Sequence, residues 1–303
     1  MTEIIQQLAN GITKGSFYAL IALGYTMVYG IIQLINFAHG EVVMIGAMVA
    51  FSVINLLVPT GLPPLVIVLI GTGCAVPFCM LIGYGMERLA YRPLRNAPRL
   101  APLITAIGVS IVLQEAVRVF YPGGKSPLSF PRLISGPNVE LGGVTIARVS
   151  IFLVVVAVVL MVGLQAFVRT SRTGKAMRAT AQDPDTARLM GIDTDRIIVI
   201  TFVIGAALAA VAGVLQGMRF VAVDFRIGFL AGLKAFTAAV LGGIGNITGA
   251  MLGGFVLGVV EALATQYLPL GSGYKDVWAF AVLIAVLVFR PAGLLGEQVG
   301  GRG

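Results

Sequence analysis

No Asp, Glu, Lys or Arg interrupts residues 15–40, 42–86, 149–168, 197–218 or 235–260. A helix that crosses a bilayer needs roughly 20 mainly apolar residues. Each interval is long enough for one crossing, and 42–86 is long enough for two. Lipid offers the backbone no hydrogen-bond partner, so such segments must be helices or the strands of a closed barrel. Runs such as Ile151–Val162 are continuously apolar and lack the alternation of a barrel strand. Only 11% of the residues are charged and 58% are hydrophobic, with a mean hydropathy of +0.97. A soluble domain carries about 25% charged residues, so there is too little polar side chain here to coat a water-facing globule. The expected fold class is all-α, a polytopic bundle of transmembrane helices.

Spans are expected over about 12–34, 41–58, 65–89, 98–121, 149–168, 197–218, 247–268 and 277–289. The turn cluster from Pro59 to Pro64 ends the second of these. The fourth has fifteen uncharged residues between Arg99 and Glu115, so it must tilt, snorkel or bury Glu115 against other helices. Residues 227–245 are short, glycine-rich and carry Lys234, which reads as a broken or re-entrant segment. The count is eight spans, or nine if 227–245 crosses. Glycines four apart (Gly11/Gly15, Gly213/Gly217, Gly245/Gly249/Gly253, Gly254/Gly258) let helices approach closely. The run Gly242–Gly258 is dense enough to resemble the backbone-lined broken helices of transporters. Asn36-Phe37-Ala38-His39-Gly40 and Asn246-Ile247-Thr248-Gly249 both lead into spans, an echo that fits either an inverted repeat or chance.

The net charge of +8 does not point to nucleic acid, because the basic residues cluster beside helix ends. Arg88, Arg92, Arg95 and Arg99 follow the third span. Arg169, Arg172, Lys175, Arg178, Arg188 and Arg196 follow the fifth. Both stretches read as cytoplasmic and the loop 122–148 as external. Arg290 favours an internal C-terminus, which places the N-terminus outside if there are nine spans. Residues 1–7 have no basic stretch of a removable signal, so the first span is expected to direct insertion. Cys74 and Cys79 lie in an apolar run, where cysteine behaves as a small hydrophobe, and indicate neither a disulfide framework nor a metal site.

The chain carries no engine of its own. A phosphate-binding loop needs a glycine five residues before its Gly-Lys-Ser, and ahead of Gly124-Lys125-Ser126 that position is Val119. His39 is the only histidine, which leaves no zinc motif and no Ser-His-Asp constellation. The intramembrane candidates are Lys234 and Glu261, with Asn36, His39 and Glu41 at the start of the second span and Gly245 in the glycine-rich break. His39 and Glu41 can equally cap that span and face the cytoplasm. The informative polar stretch is 170–195. Asp183 can cap a short helix with Pro184 at its first position, carrying Ala187, Leu189 and Met190 before Gly191 stops it. A long loop with its own caps and a small apolar face implies a cytoplasmic partner.

Ala187-x-x-x-Gly191 in such a loop resembles the coupling helix of ABC importer permeases. Gly174-Lys175-Ala176-x-Arg178-Ala179 resembles the branched-chain amino acid permease family, as does Ile35-Asn36-Phe37-Ala38-His39-Gly40-Glu41 with Gly46-Ala47 after it. Arg290-Pro291-Ala292-Gly293-Leu294-Leu295-Gly296 is similar to the family's ending. The likeness covers essentially the whole chain, and its length and opening resemble the shorter, H-type subunit. The resemblance implies one permease domain over residues 1–303, placed in the bacterial inner membrane. It implies a second, related M-type permease, two ATPases that bind ATP and Mg, and a periplasmic substrate-binding protein. Arg178, Asp183, Pro184, Ala187, Met190 and Gly191 would then contact an ATPase, and the intramembrane candidates would lie on the translocation pathway. Two other readings remain open. One is a permease of the same architecture carrying urea, short amides or other small compounds; the other is a secondary transporter or channel working alone.

Overall fold

The computed structural model describes residues 2–95, 97–98, 100–134, 136–268, 271–290 and 292–296. Arg99 and Pro291, used in the charge and C-terminal patterns above, lie outside them. The chain begins with α1 (Thr2–Ile32), α2 (His39–Leu57) and α3 (Pro64–Met86). A π-turn over Glu87–Tyr91 and a 3-10 turn over Arg92–Leu94 prolong α3 and lead to α4 (Leu100–Phe120). Three short strands follow, β1 (Leu128–Ser129), β2 (Val139–Leu141) and β3 (Val144–Ile146), then α5 (Arg148–Thr170). Two shorter helices, α6 (Arg172–Gln182) and α7 (Pro184–Leu189), precede α8 (Thr194–Phe220) and β4 (Ala222–Val223). The chain ends in α9 (Ile227–Gly242), α10 (Ile247–Tyr267) and α11 (Lys275–Phe289).

The fold is the helical membrane bundle that the charge gaps predict. Among the described residues seven helices are long and apolar enough to cross a bilayer: α1, α2, α3, α4, α5, α8 and α10. The two shorter apolar helices correspond to the ambiguous segment 227–245 and to the last expected span. At 1.5 Å per residue α9 and α11 extend about 24 and 22 Å, short of a hydrocarbon core of about 30 Å. α1 starts ten residues earlier than hydropathy suggests. Tertiary contact holds its polar first turns: the Gln6 amide donates to the Thr145 carbonyl (2.9 Å) and accepts from the Thr145 backbone N–H (2.8 Å). Residues 122–148 are not plain loop, since β2 pairs with β3 and β1 with β4, both antiparallel.

α1 is the central column. In its most apolar stretch 83% of residues are buried, against 17% in α4. Its main neighbour is α10, and small residues set the spacing. A Cβ added at Gly15 would stand 2.7 Å from the Phe255 Cα, and one at Gly11 would stand 2.6 Å from the Val259 Cα. α2, α3 and α8 pack together on another side of α1, with α9 between α2 and α10. After α9 the backbone turns at Gly243 (φ 105°) and Gly245 (φ 97°). The segment 292–296 then folds back over that end. Leu294 and Leu295 donate their backbone N–H to the carbonyls of Leu241 and Gly242, at 2.8 and 2.9 Å. This satisfies carbonyls that a helix C-terminus otherwise leaves open.

Candidate functional site

A buried ionic cluster ties four helices together. Lys234 on α9 places its Nζ 3.1 Å from Glu261 Oε2 on α10 and 2.6 Å from Asp276 Oδ1 on α11. Lys14 on α1 reaches Glu261 Oε1 at 3.4 Å. One turn further along α1 the Tyr18 hydroxyl donates to Glu261 Oε2 (2.8 Å) and accepts from Lys234 (3.3 Å). Charges inside a membrane bundle are costly and persist when paired. Glu261 is accordingly surrounded by donors. The sequence marked Lys234 and Glu261 and missed Lys14, Tyr18 and Asp276. The available signal was the spacing of Lys14 and Tyr18, four apart and so on one helix face.

Asn36, His39 and Glu41 lie elsewhere, around the start of α2. Asn36 Oδ1 accepts from the Tyr91 hydroxyl at 2.8 Å. The His39 ring stands edge-on to Tyr25, with centroids 4.9 Å apart, and packs against Gly24 and Gly205. Glu41 Oε1 accepts from the Ser110 hydroxyl on α4 at 3.1 Å. Neither His39 nor Glu41 caps the helix or faces solvent: the N-cap residue is Ala38, no side chain bonds there, and both residues are buried. The cause is close packing, because α2 begins inside the bundle, where a Cβ at Gly40 would meet the Gly232 Cα of α9 at 2.9 Å. Asn246, by contrast, does cap α10, accepting from the Gly249 N–H at 3.0 Å, so the two similar stretches play different structural parts. Gly245 is exposed in the turn after α9, apart from both clusters. The six pathway candidates therefore occupy three places, and only Lys234 and Glu261 meet in an ion pair.

The basic end has its own lock. Arg92 and Arg95 bind Asp195 at 2.9 and 2.5 Å, and Arg95 also pairs with the fully buried Glu87. This joins the π-turn after α3 to the first turn of α8. Such turns often mark functional sites. Ahead of α8 the polar stretch folds as two capped helices. Ser171 Oγ accepts from the Gly174 N–H (2.9 Å) and caps α6. Asp183 Oδ1 accepts from the N–H groups of Asp185 (3.0 Å) and Thr186 (3.1 Å), with Pro184 at the first position of α7. Gly191 (φ 83°) turns the chain after Met190. Arg188 Nε donates to Thr194 Oγ1 at 2.8 Å, fixing α7 to the first residue of α8.

The two faces of α7 differ. Ala187 is 4% exposed and faces its own chain, whereas Leu189 and Met190 are 87% and 78% exposed. Arg178 is exposed on α6 and donates to the Arg169 carbonyl at 3.3 Å. The outward surface thus includes Arg178, Asp183, Pro184, Leu189, Met190 and Gly191, without Ala187. Leu189 escaped the sequence reading as a contact residue because six helical residues are too few to show which side turns inward. Glu115, flagged by its place in the fourth span, pairs with Arg118 at 2.5 Å and is half-exposed. Among the described residues no group of three His, Cys, Asp or Glu side chains could hold a metal ion. A buried ion-paired cluster and an exposed capped helix offer binding and transmission of movement.

Comparison with known proteins agrees with that. The chain is 52% identical over 298 residues to the high-affinity branched-chain amino acid transport system permease protein BraD of Pseudomonas aeruginosa, covering 97% of this chain and 96% of that one. It is 50% identical over 298 residues to LivH of Escherichia coli, with the same coverage. A probable branched-chain amino acid transport permease of Methanocaldococcus jannaschii is 30% identical over 305 residues, 95% of this chain and 91% of that one. The family model for the branched-chain amino acid transport system / permease component matches residues 7–287. Buried helices, a locked basic end and an outward-facing capped helix are thus the parts of a transport subunit, and the chain belongs to the family of branched-chain amino acid transport system permease components.

Proposed function

We propose that this chain is the H-type membrane-spanning subunit of an ATP-driven importer of branched-chain amino acids in a bacterial inner membrane. It would form the pathway with a related M-type permease and receive its cargo from a periplasmic substrate-binding protein. Two cytoplasmic ATPases would bind ATP and Mg below the membrane. The substrate class rests on the relatives named above, which are branched-chain amino acid permeases.

The observation that carries the ATP-driven part is α7, a capped helix presenting Leu189 and Met190 to solvent and tied by Arg188 to α8. An exposed apolar pair on a rigid support suits a protein groove. Arg178, Asp183, Pro184, Met190 and Gly191 supply the rest of that surface or its shape, and Ala187 seats it on the chain. A push on α7 would pass into α8, which packs on α1, α2 and α3. In alternating access, closure of the ATPase dimer would move α7 and reopen the pathway on the other side. Lys234 and Glu261 would lie beside that pathway. Asn36, His39 and Glu41 would set the joint between α2, α4 and α9, and Gly245 the turn that ends α9.

The test is purification from native membranes in mild detergent, with co-purifying proteins identified by mass spectrometry. Two ATPases and a longer related permease are expected. Recovery of the chain alone, in a preparation that retains other membrane complexes, would promote the stand-alone transporter.

A further inference from the structure

A cavity of about 300 Å³ opens beside the ionic cluster, between α1, α8, α9 and α10. Small-molecule sites start near about 300 Å³, so the space suits one metabolite of amino-acid size and nothing much larger. Its walls carry both charge signs, with Lys14 and Lys234 facing Asp224 and Glu261. Asp276 stands against Lys234 from α11. The excess is at most one negative charge, so neither a bare anion nor a bare cation is matched as well as a ligand carrying both signs.

Two wall groups have binding capacity to spare. Among the described residues Lys14 makes one long ion-pair contact, 3.4 Å to Glu261, and its side chain is 23% exposed, which leaves ammonium protons available. Gln216 on α8 is 9% exposed and lines the cavity, yet its Oε1 has no hydrogen-bond partner among the described residues. A buried amide oxygen without a donor costs free energy until something supplies one. Lys234 and Glu261 are different, since each is already held by several partners. Phe17, Phe220 and Leu230 offer apolar wall for an aliphatic side chain.

We propose that this cavity is a binding site within the permease for a zwitterionic aliphatic amino acid. Lys14 takes its carboxylate, and Gln216 Oε1 accepts from its ammonium group. Lys234, Glu261 and Tyr18 are positioning residues that hold Lys14 in place. The site rests on the importer reading above and adds two specificity-determining residues to it.

The experiment uses the purified assembly in lipid nanodiscs, without its periplasmic binding protein, and measures equilibrium binding of radiolabelled leucine. Saturable binding is expected. Leucinamide, which lacks the carboxylate, and 4-methylpentanoate, which lacks the amine, should compete at least tenfold more weakly than leucine. Lys14→Met and Gln216→Leu should each weaken binding tenfold or more, and Lys14→Arg should stay within about threefold of the parent. Thermal stability of each variant checks that the assembly is intact. Unchanged binding in both weakening variants would overturn the proposal, as would competition by either analogue as strong as that of leucine. The same preparation, given binding protein and ATP, reports uptake. Uptake of leucine without saturable binding sinks the cavity site and leaves the importer reading standing, whereas no uptake of leucine counts against the importer reading itself.

Discussion

Replacing Glu261 by Gln keeps the shape of the cluster and removes the charge at its centre. Glu261 is 2% exposed and faces Lys234 at 3.1 Å, Lys14 at 3.4 Å and the Tyr18 hydroxyl at 2.8 Å. Removing one partner of a buried pair costs about 3–5 kcal/mol, because the charge left behind remains desolvated. Lys234 would retain Asp276 at 2.6 Å, and Lys14 is 23% exposed, so the lower end applies, about 3 kcal/mol. With an unfolding entropy of about 2.1 cal/mol/K per residue, a chain of 303 residues shifts its midpoint by roughly 1.6 °C per kcal/mol. The midpoint of E261Q should therefore fall by roughly 5 °C. The double variant Lys234→Met with Glu261→Leu removes both charges and fills the space with apolar atoms. Such exchanges are often neutral, so it should recover at least half of the loss. The assay is loss of the monodisperse chromatographic peak of purified protein on heating in detergent. A fall under 2 °C for E261Q would refute the reasoning, as would a double variant no better than the single one.

Five other outcomes are expected. Leu189→Asp with Met190→Asp should cut ATP-dependent uptake more than tenfold and reduce ATPase recovery on purification, with the chain's thermal midpoint unchanged because both side chains are exposed. Asp183→Ala removes the acceptor for two backbone N–H groups and costs α7 about 1 kcal/mol, read as roughly fivefold faster amide exchange at Asp185 and Thr186. Arg95→Met should destabilise far more than Arg92→Met in the same heating assay. Arg95 pairs with the fully buried Glu87, whereas the ion pair of Arg92 is with the half-exposed Asp195, which would keep Arg95. Gly213→Val should lower the midpoint at a cost of about 1–3 kcal/mol, since a Cβ there collides with the backbone of Val43 and stands 2.9 Å from the Ala47 N. Gly108→Ala on α4, where a Cβ meets nothing within 4 Å, should be neutral or stabilising.

The helices were legible because lipid leaves the backbone few options, and charge-free intervals mark where it must be helical. α1's polar first turns were not legible, since Gln6 is held by Thr145 and Gly11 packs against α10, both distant in sequence. His39 and Glu41 show the same limit more sharply. A histidine and an acid at a helix start have the composition of a solvated cap. Glycines on α1, α2, α8 and α9 instead allow α2 to begin inside the bundle and bury both side chains. Lys234 and Glu261 stood out as ionisable residues in apolar runs. Lys14 did not, because it sits at the edge of such a run, and Gln216 carries no charge to mark it. The polar stretch 170–195 was readable to the residue in its caps, Asp183, Pro184 and Gly191, because capping is a local interaction. Which face α7 turns outward is decided by its packing on α6 and α8, and no local pattern carries that.

The most direct measurement of the central claim is leucine uptake into proteoliposomes holding the purified assembly, with ATP enclosed and binding protein and radiolabelled leucine outside. Accumulation that requires enclosed ATP, and that the Leu189→Asp, Met190→Asp variant loses while still entering the membrane, is the predicted result. Accumulation driven by an ion gradient without ATP, at the same rate in the parent and the variant, would contradict it.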